Sequence, residues 1–333
     1  MAPGGRALTP LDGHRVDVLV TGAAGFVGEA LVGRLLELGR RAVGVDLRAG
    51  YHPTVRMDVT DPAEVDDVFA RYAPAKVVHA AAVVDERVPP ATTRRVNVEG
   101  TRNVLEAALR HGVERFVQVS SIAALGLDPG PGADEHSPLV TDTGVAYFDT
   151  KAASERHVRD VAARGELEVV VARPGDVFGP GSEPWVRRPL EMMRKGQPVL
   201  IDGGEGLIAH CWIDNLVDGL VLCLDHPAAP GGVFAFHDGA DTTRYRDYFA
   251  RLARAGRVPL PRAKVPLRVA LAAARTAEAA SRLTGQAPPL TVGSVRYVSR
   301  RATYSLRASR EVLGWAPKVD LKEAMARLGE ALP

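Results

Sequence analysis

Tyr147 and Lys151 lie four positions apart in the stretch YFDTK, and on a helix that spacing puts a phenol and an ammonium on one face. Such an ammonium can lower the phenol's proton affinity and can also reach a ribose hydroxyl. Ser120 and Ser121 follow the apolar run FVQV, and a serine at a strand end can hold a substrate oxygen beside the phenol. Together these groups suit proton exchange at the oxygen of a carbon that gains or loses hydride. Taken alone, Tyr147 and Lys151 read equally well as ordinary helix-surface residues, so the elements around them must decide.

The deciding stretch is Val16 to Gly50. Val16 to Val20 is an apolar run of buried-strand type, broken at Thr21, after which Gly22, Gly25 and Gly28 precede the helical pattern of Phe26, Val27, Leu31, Leu35 and Leu36. Glycine there permits a tight turn, close approach of backbone to a pyrophosphate and close packing of helix on strand. The first amides of the helix would face the anion. A second apolar run, Arg41 to Val45, ends at Asp46, where a carboxylate can accept from an adenosine ribose and repels a 2′-phosphate. That selects NAD over NADP, although Arg48 two residues later leaves room for the phosphorylated form.

Strand patterns near 16–20, 41–45, 76–80, 115–119 and 168–172 alternate with helical periodicity at 27–38, 62–71, 96–110 and 147–164. This alternation predicts an α/β fold, a Rossmann-type doubly wound parallel sheet, with a smaller, mainly C-terminal substrate-binding region. The expected division is a flexible segment at 1–14, the dinucleotide-binding core at 15–180 and the substrate region at 181–333, with 206–225 returning to the core. Asp61-Pro62 reads as a helix entrance, and Asp58 as a group able to reach an adenine amine. The small residues Ala80, Ala81 and Ala82 let a flat ligand pass the sheet crest or simply pack tightly. His79 reads as a packed histidine, Asp85, Glu86 and Arg87 as a solvated loop, and Asn97 as a helix start or a support for irregular backbone.

Composition narrows the class. Of 333 residues, 46% are apolar and 25% charged, which is ordinary for a globular enzyme, and a net charge of +2 gives no electrostatic footprint for nucleic acid. Two cysteines, Cys211 and Cys223, do not make a disulfide framework, and His210, Cys211 and Asp214 do not converge as metal ligands, so no metal is expected. The opening MAPGGRALTPLDGH lacks a signal-like apolar run, and no 18-residue apolar stretch follows. A cytoplasmic protein without stable membrane insertion is therefore expected.

The combination of TGAAGFVG at 21–28, DV at 58–59, HAAA at 79–82, NVEGT at 97–101, VSS at 119–121, YFDTK at 147–151, RPGDVFGPG at 173–181, WIDNLVDG at 212–219 and LGWAP at 313–317 resembles the extended short-chain dehydrogenase/reductase family. Within it the chain looks most like the 3β-hydroxysteroid dehydrogenase-like and 3-oxoacid reductase-like branch. The resemblance implies Ser121 as the catalytic serine, Tyr147 as acid/base, and Lys151 as the residue that tunes Tyr147 and holds the nicotinamide ribose. It implies contacts to NAD from Gly22, Gly25, Phe26, Val27, Gly28, Asp46, Arg48, Asp58, Val59, Ala80, Ala81, Ala82, Asn97, Pro174, Gly175 and Val177, with Arg173 nearby. It also admits a homodimer, whose interface the sequence does not expose.

One departure bears on substrate. The sugar-nucleotide epimerase pattern commonly has an arginine six residues before the aspartate equivalent to Asp214, and this chain has Ile208 there, which cannot bind a diphosphate. The Gly/Pro-rich excursion at 126–146 reads as a surface loop able to cover substrate, and His136 within it has no evident partner. Val84, Ser121, Ala123, Tyr147, Trp185, Met192 and Met193 are the expected lining residues, although the methionines suit a buried helix face equally well. Residues 265–285 read as an amphipathic helix whose charges oppose a membrane span, and Trp315 as an anchor for the C-terminal tail. The leading expectation is interconversion of a secondary alcohol and ketone on a mainly hydrophobic, optionally carboxylated small molecule. The alternatives are an epimerase or dehydratase for a sugar nucleotide or related polyol, which recycles its NAD, and a noncatalytic NAD-binding redox sensor.

Overall fold

The apolar run ahead of the glycines forms strand β1 (Val18–Thr21), all four residues buried, and the helical pattern behind them forms α1 (Phe26–Glu37). The computed structural model describes residues 15–239, 243–261, 264–284, 288 and 290–332, so the expected flexible segment 1–14 lies outside the described residues. Strands β2 (Ala42–Asp46), β3 (Thr54–Arg56), β4 (Lys76–His79), β5 (Arg115–Val119) and β6 (Glu168–Pro174) continue the alternation. Between them run α2 (Pro62–Tyr72), α3 (Pro90–Arg94), α4 (Thr101–Arg110) and α5 (Ala146–Ala162). Helix α2 starts where Asp61 predicts: its carboxylate accepts from the amides of Ala63 and Glu64, with Pro62 at the first helical position.

Beyond β6 come β7 (Asp176–Phe178), α6 (Arg188–Arg194), β8 (Leu200–Ile201), β9 (His210–Trp212), α7 (Ile213–Asp225), β10 (Val233–Phe236), α8 (Tyr245–Ala255), β11 (Lys264–Val265), α9 (Leu267–Thr284), α10 (Val292–Val298), α11 (Arg307–Leu313) and α12 (Leu321–Ala331). The main sheet has seven strands in the order β10-β6-β5-β4-β1-β2-β3, every neighbouring pair parallel. This is the Rossmann-type α/β sheet that the alternation predicts, with an added C-terminal helical region. Of the seven strands of this sheet, β3 and β10 escape the sequence reading. Each is too short for its periodicity to stand out, and β10 joins by pairing Val233 with Val171, far back in the chain.

Two apolar layers cover the faces of the sheet. One gathers Val16, Leu19, Phe69, Tyr72, Leu105 and Phe116 beneath α2 and α4. The other runs from Leu31 and Leu35 of α1 through Leu216 and Leu220 of α7 to Trp315 and Leu328 in the tail. Trp315 is buried as expected: its ring meets Phe236 edge-on at 5.1 Å and its indole N–H donates to Asn215 O at 3.0 Å. His79 is likewise a core histidine, sharing its ring nitrogens with Thr21 Oγ1 (2.8 Å) and Thr101 Oγ1 (3.0 Å); burial pulls it down to about 3, so it is neutral. Among the described residues, no helix is long and apolar enough to cross a membrane.

Candidate active site

Because the sheet is parallel, the loops after β1, β4, β5 and β6 all open at its carboxyl edge, where α/β sheets bind ligands. The loop after β1 makes a cradle. Gly22 has φ +71°, and a Cβ on it would lie 2.7 Å from the backbone of Ala81. Gly28 sits so close beneath the loop that a Cβ there would be 2.1 Å from Gly22 O. The cap of α1, Gly25, carries no side-chain hydrogen bond, which leaves this helix start, with Phe26 and Val27, to an anion.

At the end of β2, Asp46 accepts from the amides of Ala24 (3.2 Å) and Arg48 (3.0 Å), which fixes its carboxylate beside that cradle. Arg48 is exposed, its guanidinium 3.8 Å from Asp46 and 3.4 Å from Ala24 O. Asp58 turns one oxygen to the amide and hydroxyl of Thr60 at 2.8 Å, and Val59 is buried behind it. These residues fit a dinucleotide: glycines where any side chain would collide with backbone, an uncapped helix start for phosphate, and a fixed carboxylate for ribose hydroxyls. Substituting Gly28 by Ala forces backbone apart, since the collision is with the main chain of Gly22 and Ala23. The expected result is NAD affinity weakened by roughly tenfold or more, read by fluorescence titration, with the circular dichroism spectrum retained.

The sheet crest is held from below. Asn97 accepts from Val83 N (2.7 Å) and donates to Val83 O and to Thr150 Oγ1, both at 3.0 Å. It thereby ties the Ala80–Val84 loop to the helix bearing Tyr147. Asn97 lies in a π-helical turn, Arg95–Gly100, a local widening often found at functional sites. This agrees with its expected part as a support for irregular backbone. Val84 stands exposed at the rim.

After β5 the two serines part company. Ser120 Oγ donates to Glu155 Oε2 at 2.6 Å, deep in the core. Ser121 caps the short 3-10 turn Ile122–Leu125, accepting from Ala123 N at 3.1 Å, and it lies near enough to the Tyr147 phenol to favour that group's ionised form. The structure thus brings Ser121, Tyr147 and Ala123 together and turns Ser120 away. Lys151 lies one helical turn beyond Tyr147, buried, its Nζ 6.0 Å from the Tyr147 ring centroid and donating to Val119 O at 2.8 Å.

Burial dominates the electrostatics of the pair. Burial pushes the Tyr147 phenol up; the neighbouring Ser121 opposes this, and the charge of Asp176 adds to it. Lys151 itself is pulled down to about 8 by burial, against the attraction of Glu155. With its proton affinity raised, the phenol is a protonated acid at neutral pH.

Two expectations are corrected. Arg173, expected near the nicotinamide, is engaged in the core: it forms a buried ion pair with Glu155, Nη2 to Oε1 at 2.6 Å, and donates to Asp134 O. Met193, 1% exposed, packs in the main apolar layer beside Leu190, so it belongs to the core and not to a cleft wall. Met192 is half-buried on another side of the same helix, and Trp185 is half-buried within 6.3 Å of the Tyr297 ring. Pro174 ends β6, Gly175 donates to Phe236 O at 2.9 Å, and Val177 pairs with Cys211 across β7 and β9. In the 126–146 excursion, His136 is 85% exposed.

Sequence reasoning missed Glu155, Asp176, Tyr297 and Arg300. Glu155 carries a findable signal, since it continues the Tyr147 and Lys151 face at the next four-residue step. Asp176 stands inside the RPGDVFGPG motif without being distinguished there, and Arg300 has no local mark at all.

A glycine cradle opening on a serine, a tyrosine and a lysine at the same sheet edge defines a dinucleotide-dependent enzyme of oxidoreductase or epimerase type. The chain belongs to the NAD-dependent epimerase/dehydratase family, whose model matches residues 18–235, and its cofactor is NAD. It is 28% identical to a 3-beta-hydroxysteroid dehydrogenase of Mycolicibacterium neoaurum, over 95% of this chain and 90% of that protein. It is 29% identical to a 2-alkyl-3-oxoalkanoate reductase of Stenotrophomonas maltophilia, over 93% of this chain and 98% of that one. Among solved structures it resembles the Thermus thermophilus UDP-glucose 4-epimerase in complex with NAD, at TM-score 0.75 and 25% identity, covering 95% and 98% of the two chains.

Proposed function

We propose that the protein interconverts a secondary alcohol and a ketone at the Ser121–Tyr147–Lys151 site, on a mainly apolar small-molecule substrate. The observation that carries this is the placing of Ser121 just after β5 and of Tyr147 and Lys151 on one face of α5, with Lys151 Nζ 6.0 Å from the Tyr147 ring and bonded to Val119 O two residues before Ser121. The dinucleotide supplies the hydride acceptor for oxidation or, when reduced, the hydride donor. The loop from Gly22 to Gly28 would hold its pyrophosphate, Asp46 its adenosine ribose, and Lys151 its nicotinamide ribose.

The chain's own groups handle the oxygen. Ser121 donates a hydrogen bond to the reacting carbonyl, and Tyr147, kept protonated by burial, gives that oxygen its proton during reduction. In oxidation the same phenolate takes the proton back. Lys151 Nζ, anchored on Val119 O, keeps positive charge near the phenol and favours the phenolate once formed. Trp185, Met192, Val84 and Ala123 would supply apolar surface for the substrate. The relatives named for hydroxysteroid and oxoalkanoate chemistry support such a substrate.

The structural comparison weighs toward a second reading, an epimerase or dehydratase of a sugar nucleotide that recycles its NAD internally. One assay separates the two. Purified protein with NADH is offered a 3-oxosteroid, a 2-alkyl-3-oxoalkanoate and UDP-glucose, following reduced-cofactor absorbance together with product mass. Stoichiometric loss of NADH with an alcohol product is expected from one of the first two. Conversion of UDP-glucose without net change in NADH would establish the second reading instead.

A further inference from the structure

Asp176 begins β7, two residues after the end of β6, and is buried with both carboxylate oxygens engaged. Oδ1 accepts from the Tyr297 hydroxyl at 2.7 Å; Oδ2 accepts from Ala209 N at 3.0 Å and forms an ion pair with Arg300. Arg300 donates to the Tyr245 hydroxyl (2.6 Å) and to Tyr297 O (2.9 Å), and its guanidinium lies 3.7 Å over the Tyr297 ring.

This cluster borders the reaction site. Tyr297 meets Phe148 edge-on at 5.1 Å, Phe148 meets the Tyr147 ring at 5.9 Å, and the Trp185 ring lies 6.3 Å from that of Tyr297. The Tyr147 phenol, raised first by burial, is raised further by the charge of Asp176, so carboxylate and phenol share one electrostatic environment. Arg300 Nε and the Tyr304 hydroxyl are both buried and lack hydrogen-bond partners. The arginine therefore has donor capacity in reserve, yet its charge is already matched.

A diphosphate entering such a place would lose its water and meet no unmatched buried arginine: Arg300 is held by Asp176, and Arg173 by Glu155. The geometry points to Asp176 as a specificity-determining residue: by neutralising Arg300 it makes this cleft take substrates that are uncharged along the Tyr297–Trp185 wall and reject nucleoside diphosphates. This rests on the proposed reaction at Tyr147 and narrows its substrate class. It also turns the Asp176–Arg300 pair into a charge switch that a single substitution resets, because Asp176→Asn keeps the shape and leaves the guanidinium unmatched.

The test is calorimetric titration of the NAD-saturated protein with UDP and with uridine, which differ in the diphosphate. The wild-type protein should bind UDP no more tightly than uridine. Asp176→Asn should tighten UDP relative to uridine by about tenfold or more. Tyr297→Phe, which removes one hydrogen bond and neither charge, should leave the ratio as in wild type. A wild-type preference for UDP of about tenfold, or a folded Asp176→Asn protein with an unchanged ratio, overturns the assignment. If Asp176→Asn does not fold, the wild-type ratio alone decides. No turnover is required, so Tyr147→Phe protein should give the wild-type ratio even where hydride transfer is lost, which separates failure of this inference from failure of the proposed reaction.

Discussion

Replacing Tyr147 by Phe is expected to lower kcat by about 10²–10⁴-fold while NAD affinity changes by less than about twofold. Only the hydroxyl is removed. The ring keeps its edge-on contact with Phe148 at 5.9 Å and its place under Lys151, so the loss reports the proton at the reacting oxygen and not a collapsed wall. Ser121 keeps its bond from Ala123 N, so the serine stays in position. The measurement is single-turnover reduction on stopped flow, paired with NAD titration by fluorescence. A kcat equal to wild type would remove Tyr147 from the reaction under either substrate reading, because both require a group that exchanges that proton.

The largest effect on stability is expected at Glu155. Its carboxylate is 0% exposed and is the partner of Arg173, itself 2% exposed, through contacts of 2.6 to 3.1 Å, while also accepting from Ser120 at 2.6 Å. Glu155→Ala leaves a buried guanidinium with no counter-charge and a buried hydroxyl without its acceptor. Breaking one side of such a pair costs about 3–5 kcal/mol, which corresponds to a fall in Tm of roughly 5–15 °C. The double variant Glu155→Leu/Arg173→Met removes both charges and should recover most of the loss. Differential scanning calorimetry of the three proteins decides; a single variant as stable as wild type would show that Arg173 finds another acceptor. Glu155 also attracts the charge on Lys151, so in any Glu155→Ala protein that folds, Lys151 should lose its proton at lower pH than in wild type, where burial places it at about 8.

The two experiments act on one helix face, with Tyr147, Lys151 and Glu155 at successive four-residue steps of α5. The outer end carries the proton, the middle carries a charge lowered by burial, and the inner end is locked to the sheet through Arg173 on β6. Precision at the reacting oxygen thus rests on an ion pair remote from the cofactor cradle. Asn97 supports the same helix from the other side through Thr150.

Features written in consecutive residues were legible from the sequence. The glycine loop, the strand before it, the Asp61-Pro62 helix entrance and the Tyr147–Lys151 face each follow from turn chemistry or helical period over a few residues, and such rules hold wherever the segment lies. They were enough for the parallel sheet, the family and the cofactor. Tertiary structure alone decided how charges separated in sequence cancel. It turned Ser120 toward Glu155 and Ser121 toward Tyr147, although the two are neighbours in the chain. It took Arg173 into the core, fixed Lys151 on a backbone carbonyl, and joined Asp176 to Arg300 across 124 residues. No periodicity encodes such partners: whether a buried charge is free to bind a ligand depends on what lies against it in the folded protein.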